Sequence, residues 1–479
     1  MILISELAVI KPKKSYTMKK FKLPLLIMLM TVVFYQCSED MLSDEVTNND
    51  LKSKRAGKGK PAATFTVKIE NISTVYDYFE AGAKFVPDGE SSAGPAFPGH
   101  SFTVKFHAGR SHRLSFASMY GASNDLFYAP SDAGIKLFDG DGNPTTGNIT
   151  GMISLWDAGT EVNHAPGSGE DGAEESAPVQ SVRNTDNKMD GFSYNSVEEN
   201  IEVLLSYDGV SEFTLNINVL PGSSTPLSPV AWVVHSDMQK PIFTEGAMDY
   251  GLGLEDLAEM GNAAPLSENL SLNSGYVSPI APGAWVLHKQ GQKPVFDEGK
   301  PDYGKGLEML SEMGDPVGLI TEYLLEGFET GIFNIPVGAS DPAPLFPGET
   351  YTFTFEANPG DYLSFATMLG KSNDLFLSLD DMGIPLFKGY TPIKGDITGL
   401  VSVWDAGTEV NEYPGAGIHQ GPGGIDEHKD IMVVNDEFMW PEANDIVRVV
   451  IFSEPNTWPY PYPGMHNHPP KNKHWKYFK

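Results

Sequence analysis

Two sets of oxygen-bearing side chains recur in this chain at matching spacing. The first is Asn124, Asp125, Asp157 and Glu161; the second is Asn373, Asp374, Asp405 and Glu409. In each set the Asn-Asp pair lies in the string Ser-Asn-Asp-Leu-Phe, and the other two acids lie in Trp-Asp-Ala-Gly-Thr-Glu-Val-Asn. Four such groups drawn from two loops could share one hard cation, because calcium takes carboxylate, amide and carbonyl oxygens together. The same residue types also serve as turn hydrogen-bonders, since Asn and Asp bond their own backbone where a chain reverses. On that second reading Trp156 and Trp404 are simply core.

Other constellations point less far. Asp139-Gly-Asp-Gly-Asn143 has the opening of an EF-hand loop, but Pro144 stands where that loop needs Gly and Thr150 where it needs Glu. A hairpin turn is the expectation there. His235 and His288 occupy matching places at strand ends with no nearby Cys or second His, which favours a structural role over zinc. The histidines of the Pro- and aromatic-rich tail, His466, His468 and His474, could bind a transition metal only weakly. The sequence contains no Gly-x-Ser-x-Gly elbow, no His-Glu-x-x-His helix and no phosphate-cradling loop. Asp405 and Glu409 could in principle hydrolyse a glycosidic bond, yet acids within one tight turn suit a cation better than attack from opposite faces of a sugar.

The elements that must position these residues are short strands. Residues 114–163 and 363–412 are near copies of one another. Alternating apolar runs at 64–71, 97–106 (a turn and then a strand), 114–119, 134–138, 151–156 and 200–206, separated by Gly, Pro, Asn and Asp, predict an antiparallel sandwich. Residues 167–195, rich in Gly and Asp, are expected to form a loop. The run 211–219 resembles 64–71, which places the start of a second domain there. A second, 53-residue repeat spans 226–314: Ala231-Trp-Val-Val-His235 matches Ala284-Trp-Val-Leu-His288. Each copy predicts a strand, a turn and a short helix closed by Gly261 or Gly314. The expected organisation is all-β: two tandem antiparallel β-sandwich domains, at 63–210 and 211–456, the second carrying the duplicated strand-plus-helix insertion.

The paired blocks resemble the spondin N-terminal domain, over roughly 63–209 and 211–454. That resemblance implies a β-sandwich with a bound calcium ion, one per domain if both copies keep the site. It carries Asp125 and Asp374, and Asp157 and Asp405, onto the metal; Glu161 and Glu409 stand where relatives often show an aspartate. It implies binding or adhesion to an extracellular protein, glycan or matrix, and names no ligand.

Bulk composition fits this picture. Across 479 residues there are 49 Gly and 36 Pro, as expected of a turn-rich β protein. The 33 basic and 63 acidic residues give a net charge of −30, which argues against nucleic-acid binding. The single cysteine, Cys37, excludes an intrachain disulfide. Ahead of it lie a basic stretch from Met18, a candidate start, and the short apolar run 23–35, too short to span a bilayer comfortably. Segment 1–37 therefore reads as a bacterial lipoprotein signal with Cys37 as the lipidated first residue. The polar stretch 38–62 reads as a tether, and 457–479 as a tail. The expected location is the outer membrane, at the cell surface, held through the lipid alone.

Overall fold

The computed structural model describes residues 63–168, 180–185, 191–417, 419 and 424–455. The signal segment with Cys37, the tether and the tail with its histidines lie outside the described residues. Within them the chain is predominantly β, and its named strands pair antiparallel in two sandwiches.

In the first sandwich a four-stranded sheet runs Ser101–His107, Glu212–Val219, Ile201–Tyr207, Gly147–Asn148. It faces a sheet ordered Glu80–Lys84, Val230–Ser236, His112–Met119, Leu126–Ala129, Ser154–Asp157, Arg183–Asn184. The second sandwich repeats the plan. Thr350–Ala357, Ala63–Asn71, Val447–Pro455 and Gly395–Asp396 form the smaller sheet. The larger runs Glu329–Phe333, Ile280–Lys289, Asp361–Leu369, Leu375–Ser378, Ser402–Asp405, Met432–Val433. Side chains of both sheets meet between them because successive residues of a strand point to opposite faces. Phe106, Phe213, Val203 and Leu215 fill the first core; Phe65, Phe353, Val449 and Ile451 fill the second.

This arrangement corrects the linear division at residue 210. The opening strand Ala63–Asn71 does not belong to the first sandwich. It lies between Thr350–Ala357 and Val447–Pro455, with Phe65 opposite Phe355 on one side and Ser453 on the other. The strand Glu212–Val219, expected to open the second domain, instead completes the first, with Phe213 opposite Phe106. Both strands alternate strictly between buried and half-buried positions. Alternation specifies a buried face and says nothing about which sheet receives it. The chain's first and last described strands are therefore zipped together along nine residue pairs. Asn71 fixes the exit from this strand: its buried amide donates to the carbonyls of Ser278, at 3.1 Å, and Leu345, at 3.0 Å.

The 53-residue repeat is likewise not an insertion in one domain. Its first strand, Val230–Ser236, joins the first sandwich, and its second, Ile280–Lys289, joins the second. Each strand is followed by two short helices rather than one: Leu254–Met260 with Ala264–Leu272, and Leu307–Met313 with Val317–Glu326. These cover the outer face of the larger sheet. Leu257 and Leu266 pack there with Phe243 and Trp156, as Leu310 and Leu319 pack with Phe296 and Trp404. Gly261 and Gly314 end the first helix of each pair in the left-handed conformation, at φ 65° and 67°. Such a C-cap favours residues without a Cβ.

Candidate functional site

Strand register brings the repeated acids together. Leu126 lies opposite Asp157, so Asp125, one residue before it, stands beside Asp157 at the same sheet end. Leu375 and Asp405 pair identically, which places Asp374. The serine of each Ser-Asn-Asp string holds the approach: Ser123 Oγ accepts from the Leu126 amide and donates to the Tyr120 carbonyl. Ser372 does the same between the Leu375 amide and the Leu369 carbonyl. Glycine is required after the second aspartate. Gly407 adopts φ 69°, and a Cβ there would sit 2.6 Å from the Lys429 carbonyl oxygen.

Each first aspartate is a fully buried receptor for the neighbouring loop. Asp125 Oδ2 accepts from the amides of Thr160, at 2.9 Å, and Glu161, at 3.1 Å. Asp374 Oδ2 accepts from those of Thr408, at 2.7 Å, and Glu409, at 3.1 Å. The second aspartates take a glycine amide on Oδ1 and an asparagine amide on Oδ2. Asn163 donates to Asp157 and Asn411 to Asp405, both at 2.7 Å. These asparagines end the repeated Trp-Asp-Ala-Gly-Thr-Glu-Val-Asn string, so the repeat itself held the signal for them. Arg183 Nη2 also reaches Asp157 Oδ2, at 2.8 Å. It comes from the interval expected to be only a loop, where nothing in the repeat marks it.

Asn124 and Asn373 brace the loops. Asn373 Oδ1 accepts the Glu412 amide at 3.1 Å, and the Asn124 side chain lies 3.4 Å from His164 Nδ1. Glu412 in turn accepts from the His419 backbone amide and contacts its ring at 2.9 Å.

The electrostatics of the loop ends are unfavourable for free carboxylates. Burial, then the charge of Asp157, pushes the Asp125 carboxyl up to about 7. Burial, then Asp405, does the same to Asp374, also to about 7. Glu409 rises to about 7 through burial and the nearby Glu312. Asp405 is raised in direction, by burial first and by Glu427.

Would a calcium ion fit? Among the described residues no three His, Cys, Asp or Glu side chains form a ready-made cage. Yet the buried Oδ1 atoms of Asp125 and Asp374 have no hydrogen-bond partner, and neither do Glu409 Oε2 and Asn411 Oδ1. Buried polar atoms are normally satisfied, and a missing ion is one reason for an exception. An all-oxygen donor set of carboxylate and amide groups is what calcium takes, with carbonyls and water completing it. On donor chemistry the second loop end fits.

The remaining candidates resolve as structural. His235 lies between Ser115 Oγ and the Ser236 carbonyl, both at 2.9 Å; His288 mirrors it with Ser364 and Lys289. Asp139 Oδ1 accepts the amides of Asp141 and Asn143 within a turn closed by the Phe138–Pro144 bridge.

No protein-family model matches the chain, and no curated protein sequence matches it.

Proposed function

We propose that this chain is a calcium-dependent binding module, held at the cell surface by a lipid on Cys37. The ion would fix the loop end so that it presents one shape to an extracellular protein or glycan. The observation that carries this reading is Asp374: a fully buried carboxylate with one oxygen receiving two backbone amides and the other receiving nothing. Asp374, Asp405 and Glu409 would hold the cation. Calcium would supply charge neutralisation and loop rigidity; the chain's own groups orient the loop through the Asn411, Thr408 and Gly407 hydrogen bonds. Calcium is favoured over a softer metal because every available donor is oxygen.

Binding is preferred to catalysis because acids within one tight turn suit a cation better than attack from opposite faces of a sugar. Two cavities, of about 350 and 580 Å3, are lined by residues such as Lys293, Tyr303 and Glu326, and Met119, Pro226 and Glu259. None of the eight repeated Asn, Asp and Glu residues lines either one, and neither holds an opposed carboxylate pair. The anchor rests on the sequence ahead of Cys37; among the described residues no helix is long and apolar enough to cross a membrane.

Calorimetric titration of calcium into the full chain, beside Asp374→Asn, tests the reading. Heat of binding in the wild type that the variant lacks supports it. No heat in either protein, with the fold intact by circular dichroism, refutes it.

A further inference from the structure

We infer that the two loop ends are not equivalent: the first is closed by the chain's own cation, Arg183, and only the second takes calcium. This rests on the calcium reading above and sharpens it from a site type to a stoichiometry.

The comparison is controlled by the repeat itself. Asp157 and Asp405 occupy the same register position, opposite Leu126 and Leu375. Both accept a glycine amide on Oδ1 and an asparagine amide at 2.7 Å on Oδ2. They differ in what faces them from the adjacent edge strand. Opposite Asp157 stands Arg183; opposite Asp405 stands Met432. The Arg183 guanidinium contacts the fully buried Asp157 Oδ2 at 2.8 Å and is itself about three-quarters buried. Met432 is exposed and carries no charge. The cation nearest in sequence, Lys429, turns instead to Glu427 at 2.7 Å, and among the described residues no lysine or arginine pairs with Asp405.

Unsatisfied oxygens follow the same division. At the second end, Asp374 Oδ1 and Glu409 Oε2 are buried without partners, on residues 0% and 3% exposed. Asn411 Oδ1 and Glu427 Oε1 are unpartnered as well. At the first end the buried atoms without partners, among the described residues, are Asp125 Oδ1, the neutral hydroxyl of Thr160 and Arg183 Nε, a donor that offers nothing to a cation. A carboxylate that already has a buried guanidinium hydrogen-bonded to it gains less from a metal. A divalent ion entering there would also meet like charge at close range. Beside Asp405 the opposing cation is Lys429, which is exposed to solvent and bound to Glu427, so its charge is screened and opposes an ion less than a buried guanidinium in contact with the carboxylate.

Equilibrium dialysis of the full chain against calcium, with bound metal counted by atomic emission, gives the stoichiometry. The expected result is one ion per wild-type chain, lost in Asp374→Asn. Arg183→Met, which copies the second end onto the first, should bind two. Met432→Arg, which copies the first end onto the second, should bind none. Two ions per wild-type chain, or a single ion that survives Asp374→Asn, would overturn the inference while leaving calcium binding in place. No ion in the wild type would overturn the calcium reading itself. Should Arg183→Met fail to fold, the wild-type count and Met432→Arg still decide the matter.

Discussion

Deleting one phenyl ring near the start of the chain should loosen the second sandwich and spare the first. Phe65 is fully buried, stacked on Phe355 at 5.6 Å and edge-on to Phe387 at 5.5 Å. Its backbone pairs with Thr350–Ala357 on one side and Val447–Pro455 on the other. A buried Phe→Ala change costs about 3–5 kcal/mol, through lost transfer energy and the cavity left behind. Whole domains are stable by only about 5–15 kcal/mol, so Phe65→Ala removes a large share of the second sandwich's margin. At about 1.4 kcal/mol per decade, 4 kcal/mol corresponds to roughly a thousandfold rise in the open population. Hydrogen exchange read by mass spectrometry reports this by segment. Amides of Thr350–Ala357 and Val447–Pro455 should exchange faster by about that factor, while Ser101–His107 and Glu212–Val219 stay protected. Phe213→Ala should give the mirror image, because Phe213 stacks on Phe106 at 5.6 Å in the other core. Fast exchange at Ser101–His107 in Phe65→Ala, with Thr350–Ala357 unchanged, would refute the exchanged-strand topology.

Three further outcomes follow from named groups. Gly407→Ala should destabilise the chain by about 1–3 kcal/mol and weaken calcium binding, because the residue needs φ 69° and its Cβ would meet the Lys429 carbonyl; urea denaturation and calcium titration read the two effects. Two buried histidines should each weaken the fold as pH falls. Burial, then Lys371 and His235, holds the His112 imidazole down at about 3, and burial holds His235 at about 4. The unfolded chain therefore takes up protons near pH 6.5 that the folded chain refuses, so each histidine costs about 1.4 kcal/mol per pH unit from there down to about pH 4, while the raised carboxyls of Asp125, Asp374 and Glu409 contribute with the opposite sign. His112→Gln should therefore gain stability relative to the wild type as pH falls from about 6.5 to 4, read by urea denaturation of the two proteins side by side; a difference between them that does not change with pH would contradict the assignment. Tyr413→Ala should loosen the junction between the sandwiches by about 1 kcal/mol, because Tyr413 stacks on His107 at 3.6 Å and meets Phe79 edge-on; separation of one thermal transition into two would reveal it.

How much of this was legible beforehand depends on what each residue's neighbours are. The β character and the short strands were legible because turn residues and period-two alternation are local signals. The asparagine and aspartate of each Ser-Asn-Asp string could be placed at a loop end because the string recurs with Trp-Asp-Ala-Gly-Thr-Glu; the bracing role of the serine was not legible from it. The destination of Ala63–Asn71 was not legible: Phe65, Val67 and Ile69 offer the same apolar face as Phe213, Leu215 and Ile217, and either sheet could bury it. The second helix of each pair was missed because Ala264–Leu272 and Val317–Glu326 follow so closely on the glycine that closes the first. Arg183 was invisible for the opposite reason. It has no counterpart in the second copy, and its role exists only through its register opposite Asp157.

The most direct test of a calcium-bound loop end is diffraction from crystals of the chain soaked in calcium, with anomalous differences recorded at long wavelength. The account predicts a peak beside Asp374, Asp405 and Glu409, with Asp374 Oδ1 among its ligands. Well-ordered loops with no anomalous density there, at calcium concentrations that saturate binding in solution, would contradict it.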